Sequence, residues 1–133
     1  MAKIMNAVLS LSHDHTKKTV RAVAKCTVKF SELELCEMKT CNIANMFKLK
    51  CKLRGKDSGL TGSDDQLFTY PSATFFPDAD PTSAEHRTFD VLLGEGVLDE
   101  DWGQDEVYAR FQLVNLYTLV SISKDSNVVS HSF

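Results

Sequence analysis

The sequence predicts an all-β protein, an antiparallel sandwich of about seven or eight strands, with a closed barrel as the alternative. Three observations lead there. Apolar and polar residues alternate with a period of two in several long runs, no segment sustains the 3.6-residue period of an amphipathic helix, and turn-forming residues separate the runs at short intervals. At 133 residues, with 43% hydrophobic and 25% charged side chains, the chain is expected to form one domain spanning 1–133, large enough to bury roughly two thirds of its unfolded surface.

The strands are predicted in order. "AVLSLS" opens the chain's first apolar run, and "TVRAVAKCTVKF" follows with Val20, Ala22, Ala24, Cys26, Val28 and Phe30 on one side. Phe47, Leu49, Cys51 and Leu53 alternate with Lys48, Lys50, Lys52 and Arg54. "DQLFTY" and "SATFF" are short and rich in β-formers, and "QLFTYPSATFF" is expected to make a single crossing of the domain. "TFDVLLGEG", then "VYARFQLVNLY" with Val107, Ala109, Phe111 and Leu113 facing one way, and "NVVSHSF" complete the set. The apolar runs stop well short of the 18 or so residues a membrane helix needs, and the opening "MAKIMNAVLSLSHDH" lacks a signal-peptide cleavage pattern. A cytoplasmic, reduced protein is the expectation.

Charge is divided along the chain. Residues 1–56 carry 12 Lys and Arg against 4 Asp and Glu, whereas residues 57–133 carry 3 against 14. Arg21, Lys25, Lys29, Lys48, Lys50, Lys52 and Arg54 would make one basic face if the second and third strands shared a sheet. The cysteines, at 26, 36, 41 and 51, have a hairpin's symmetry: a register that pairs Cys26 with Cys51 also pairs Phe30 with Phe47 on the apolar side. That register sets Lys29 opposite Lys48 and Lys25 opposite Lys52, and like charges directly opposite are unfavourable. Either the two strands are not neighbours, or the basic face meets something anionic. Among aliphatic neighbours Cys26 and Cys51 are expected to act as small reduced hydrophobes.

No hydrolase elbow, phosphate loop or H-E-x-x-H motif is present, so the expected role is non-catalytic: a protein-interaction module, with self-assembly through opposite charges as the leading form. Nucleic acid is disfavoured because no aromatics interleave with the cations. Two alternatives rest on particular residues. Acidic loops supply Asp64, Asp65, Asp99 and Asp101 as hard oxygen ligands for calcium. A sandwich with this strand count has an immunoglobulin-like layout or resembles calcium-dependent membrane-binding sandwich domains, which gather acidic loops at one end. Trp102, flanked by acids, is a possible contact for a partner or an anchor over one end of the sandwich.

The second alternative is a metal-assisted enzyme centred on "HDH". His13 and His15, two apart, fall on one face of a strand and offer a two-ligand platform, with His86 or His131 as the third imidazole. The triplet resembles the opening of the metal motif in cupin barrels, although "TKKTV" stands where that motif has its glutamate.

Overall fold

A computed structural model describes residues 1–56, 65–78, 80–99 and 105–133. Two antiparallel sheets enclose one apolar core, and neither closes into a barrel. Sheet A contains β1 (Lys3–Asp14), β2 (Thr19–Lys29) and β6 (Ala84–Gly94) in the order β1-β2-β6. Sheet B is built on β3 (Phe47–Gly55) and β7 (Asp105–Asn115), with the whole of β3 paired to Val107 through Asn115. Against the free side of β3 lie β4 (Asp65–Thr69) and then β5 (Thr74–Phe76), so the segment from Gln66 to Phe76 does make one broken crossing. Against the free side of β7 lie β8 (Ser121–Asp125) and β9 (Val129–His131).

The alternation explains the layers. Val20, Ala22, Ala24, Cys26 and Val28 of β2 point inward, as do Leu49, Cys51 and Leu53 of β3 and Val107, Ala109, Phe111 and Leu113 of β7. Aromatic rings bridge the layers, with Phe89 of sheet A and Phe111 of sheet B 6.1 Å apart and Tyr70 5.5 Å from Phe89. The Tyr70 hydroxyl donates to the Ala22 carbonyl at 2.9 Å, so the one polar atom of that ring is satisfied inside the core. At the opposite edge the side chain of Asn127 takes the place of a peptide group. Its Oδ1 accepts from the Leu9 amide at 2.9 Å and its Nδ2 donates to the Leu9 carbonyl at 3.2 Å. This joins β1 to the β8–β9 edge beside the bulge that shifts register between Met5 and Val8, where Asn6 has a φ of 53°.

Three sequence expectations need correction. Strands β2 and β3 belong to different sheets, so Cys26 and Cys51 are not hairpin partners; of the two alternatives that the like-charge clash leaves, the strands are not neighbours. Their thiols instead meet the core from opposite layers, where desolvation pushes Cys26 up to about 12 and Cys51 further still, the latter aided by Cys26 itself. The seven basic residues therefore form two rows, Arg21, Lys25 and Lys29 on the outside of sheet A and Lys48, Lys50, Lys52 and Arg54 on the outside of sheet B. Helix α1 (Glu32–Lys39) also occupies a stretch in which no helical period is evident. It forms through its ends: Ser31 caps the Glu34 amide, Glu34 reaches back to the Ser31 amide, and Lys39 lies in the last turn. None of the helices among the described residues is long and apolar enough to cross a membrane.

Candidate metal centre

The end of the sandwich where β1 turns into β2 also receives the end of β6 and the start of β7. Register aligns the strand ends within each sheet, with Asp14 opposite Thr19 and Thr19 opposite Gly94 in sheet A, and Gly55 opposite both Asp65 and Val107 and Asp105 opposite His131 in sheet B. The His13–His131 contact at 2.9 Å joins the two ends. Residues opposite one another share a face. His13 is opposite Val20, a core residue of sheet A, and His131 is opposite buried Asp105 of sheet B. Both imidazoles consequently enter the gap between the layers and meet there.

Local chemistry holds them in place. In "HDH" the middle residue makes the turn, since Asp14 Oδ1 accepts from the amides of Thr16 and Lys17 at 3.0 and 3.1 Å. His13 and His15 then flank it on one side, with ring centroids 4.0 Å apart. His131 packs edge-on to His13 at 5.0 Å, and Phe133 covers both, 4.8 Å from His131 and 5.5 Å from His13. One potential ligand atom from each of His13, His15 and His131 lies within 4.8 Å of the other two, and among the described residues this is the sole group of three or more His, Cys, Asp or Glu so arranged.

A fourth residue orders the cluster. After β6 the chain enters a short 3-10 turn, Glu95–Val97, pinned by a hydrogen bond from the Glu95 amide to the Lys18 carbonyl at 2.9 Å. The Glu95 carboxylate, 30% exposed, reaches the imidazole of His13, 4% exposed, with Oε2 2.8 Å from Nε2. A carboxylate only accepts, so Nε2 of His13 carries the proton and donates it. In the neutral ring Nδ1 is then the lone pair, and it accepts from Nε2 of His131 at 2.9 Å. This is the outer-shell arrangement that orients metal-bound histidines: one ring nitrogen held by a carboxylate, the other offered as a ligand.

The spacing suits a small ion with modest movement. Nitrogens bound to one tetrahedral ion at about 2.0–2.1 Å stand roughly 3.3 Å apart. The His13–His131 pair, at 2.9 Å, needs to open only slightly, with His131 shifting its proton to the other ring nitrogen to free Nε2. His15, the exposed member, closes the remaining distance, which is at most 4.8 Å.

The other sequence candidates fall elsewhere. His86 is opposite Thr27, towards the far end of β2, and its Nδ1 is 2.8 Å from the Thr27 hydroxyl, so it does not join the cluster. Asp65 and Asp99 are exposed and belong to no group of three ligands among the described residues. Asp64, Asp101 and Trp102 lie outside the described residues. Cys36 and Cys41 are exposed free thiols beside α1. Glu95 was not expected from the sequence, where it is one acid in "GEG" separated from His13 by 82 positions.

The fold and the cluster together define an antiparallel β-sandwich with a histidine-rich end. Its sequence matches no family model and no curated protein. A solved structure, the X-ray structure of Northeast Structural Genomics Consortium target SoR45, is similar over 97% of this chain and 84% of its own, with 11% identity and a TM-score of 0.44.

Proposed function

We propose that this protein binds a divalent transition-metal ion through His13, His15 and His131, with Glu95 as the positioning residue for His13. One observation carries the reading: three imidazoles, from β1, the turn after it and β9, converge within 4.8 Å, and a carboxylate already holds the innermost in the ligand-ready tautomer. Imidazole donors suit Zn, Cu, Ni and Fe(II) rather than calcium or magnesium, which take oxygen. Three protein ligands leave a coordination position for water or for a donor from another molecule. The reading is of a metal-binding module; a metal-assisted reaction would use that open position. A reducing, cytoplasmic setting suits it, because Cys26 and Cys51 are buried as free thiols. Self-assembly through a single basic face loses support, since the cations divide between opposite outer faces.

Isothermal titration with zinc, nickel and calcium tests the proposal, in a Cys36→Ser, Cys41→Ser background that removes the exposed thiols as competing ligands. One equivalent of zinc or nickel is expected per chain, none of calcium, and neither transition metal in His13→Ala or His131→Ala. Circular dichroism establishes that the variants remain folded. Unchanged zinc binding in both histidine variants would place any metal elsewhere and end this reading.

A further inference from the structure

The lysine row of β3 remains to be explained, and its position in the sheet removes the simplest account of it. Cations often guard exposed strand edges against unwanted pairing. β3 is not an edge: β7 pairs with one side of it, and β4 and β5 pair with the other. Its outward side chains stand in the middle of a sheet face, where register sets Lys52 opposite Arg110 on one side and Thr69 on the other, and Lys50 opposite Gln112. Like charges directly opposite are unfavourable.

Two outward arginines are neutralised by carboxylates. Arg21 on sheet A forms a two-pronged pair with Asp90 at 3.0 and 3.1 Å, and Arg110 on sheet B forms one with Asp125 at 2.7 and 3.1 Å. Among the described residues, no carboxylate lies within ion-pair distance of Lys50 or Lys52. Between them lies a groove of about 140 Å³, lined by Lys50, Cys51, Lys52, Gln66, Thr69, Arg110 and Gln112. Two lysines, an arginine anchored by Asp125, two glutamines and a threonine thus line one concavity, where Gln66 already donates to the Thr69 hydroxyl at 2.7 Å. These are the donors that recognise a tetrahedral oxyanion.

We infer that this groove is a second ligand site, independent of the histidine cluster, and that it takes a phosphate group, either free phosphate or the terminal group of a phosphate monoester. The two lysines supply charge, Arg110 supplies a plane already fixed by Asp125, and Gln66, Thr69 and Gln112 supply orientation. The negative charge of the ligand pairs with the two lysines, while Arg110 keeps its pair with Asp125.

Amide chemical-shift titrations of the whole protein with inorganic phosphate, and separately with phenyl phosphate, test the inference against sodium chloride at matched ionic strength. Saturable shifts are expected at Lys50, Lys52, Gln66, Thr69, Arg110 and Gln112. Lys50→Gln with Lys52→Gln should weaken binding at least tenfold, whereas Lys25→Gln with Lys29→Gln on sheet A should leave it unchanged. Tighter saturation by phenyl phosphate would identify a phosphorylated compound as the ligand, and tighter saturation by the free ion would identify phosphate; both support the site. Shifts no larger than those of chloride, or equal binding by the Lys50, Lys52 variant, overturn it. So does a salt-sensitive dimer in light scattering that phosphate leaves unchanged and that Lys50→Gln with Lys52→Gln abolishes.

Discussion

Replacing Glu95 by alanine removes the carboxylate that accepts from His13 Nε2 at 2.8 Å while leaving all three candidate ligands in place. Loss of such an outer-shell partner typically lowers metal affinity by about 10–100-fold. The consequence can be worked through linkage. At a free zinc concentration 100 times the dissociation constant, the native protein gains about 2.7 kcal/mol of stability. A thirtyfold loss of affinity, near the middle of that range, reduces the gain at the same concentration to about 0.9 kcal/mol. A chain of this length unfolds with an entropy of about 0.28 kcal/mol per kelvin, so zinc should raise the melting temperature by about 10 °C in the parent and about 3 °C in Glu95→Ala. Thermal melts with and without zinc measure both values, and His86→Ala serves as a control because His86 pairs with Thr27 away from the cluster. A zinc shift in Glu95→Ala as large as the parent's would refute the claim that the carboxylate sets the His13 tautomer.

Two further outcomes concern the scaffold. Above pH 9.0, the ordinary value of the thiol, the unfolded chain releases a proton that folded Cys26 keeps until about 12; stability should therefore fall with rising pH across that window, by about 1.4 kcal/mol per pH unit for each such thiol, and Cys26→Ala should show a shallower slope in urea unfolding. Asn127→Ala should cost about 1–3 kcal/mol, because the amide of buried Leu9 loses its acceptor where β1 meets the β8–β9 edge; a change under about 0.5 kcal/mol would mean that water replaces the side chain there.

The strands of the core were legible because burial imposes a period of two. Each run from Val20 to Phe30, Phe47 to Leu53 and Val107 to Leu113 keeps its apolar residues on the inward face. β8 was not expected: "SISKD" is an edge strand whose residues are mostly exposed, so burial writes no pattern into it. Helix α1 buries only Met38, and hence lacks an apolar stripe, but Ser31 followed three residues later by Glu34 was a readable capping signal. Period-two alternation also cannot say which sheet a strand joins. Cys26 and Cys51 fit a hairpin register and a cross-sandwich contact equally well, and only the pairing of β2 with β6 and of β3 with β7 decides between them.

The histidine cluster was legible only in part. His13 and His15 were paired on the expectation that both lie on one strand; β1 ends at Asp14, and it is the turn held by Asp14 that brings His15 beside His13. His131 was named as a possible third partner, but its approach depends on β9 lying along the start of β7 in the opposite sheet. Glu95 left no local trace, since its role comes from the turn after β6 crossing the end of β2 to reach β1.

X-ray absorption at the zinc edge of protein loaded with one equivalent of zinc, in the Cys36→Ser, Cys41→Ser background, tests the proposed metal centre most directly. The arrangement of His13, His15 and His131 calls for a first shell with three imidazole nitrogens at about 2.0–2.1 Å, recognisable by the scattering of their rings, and for fewer imidazoles in His131→Ala. A shell of oxygens without imidazole, or sulfur at about 2.3 Å from the remaining thiols, would contradict it.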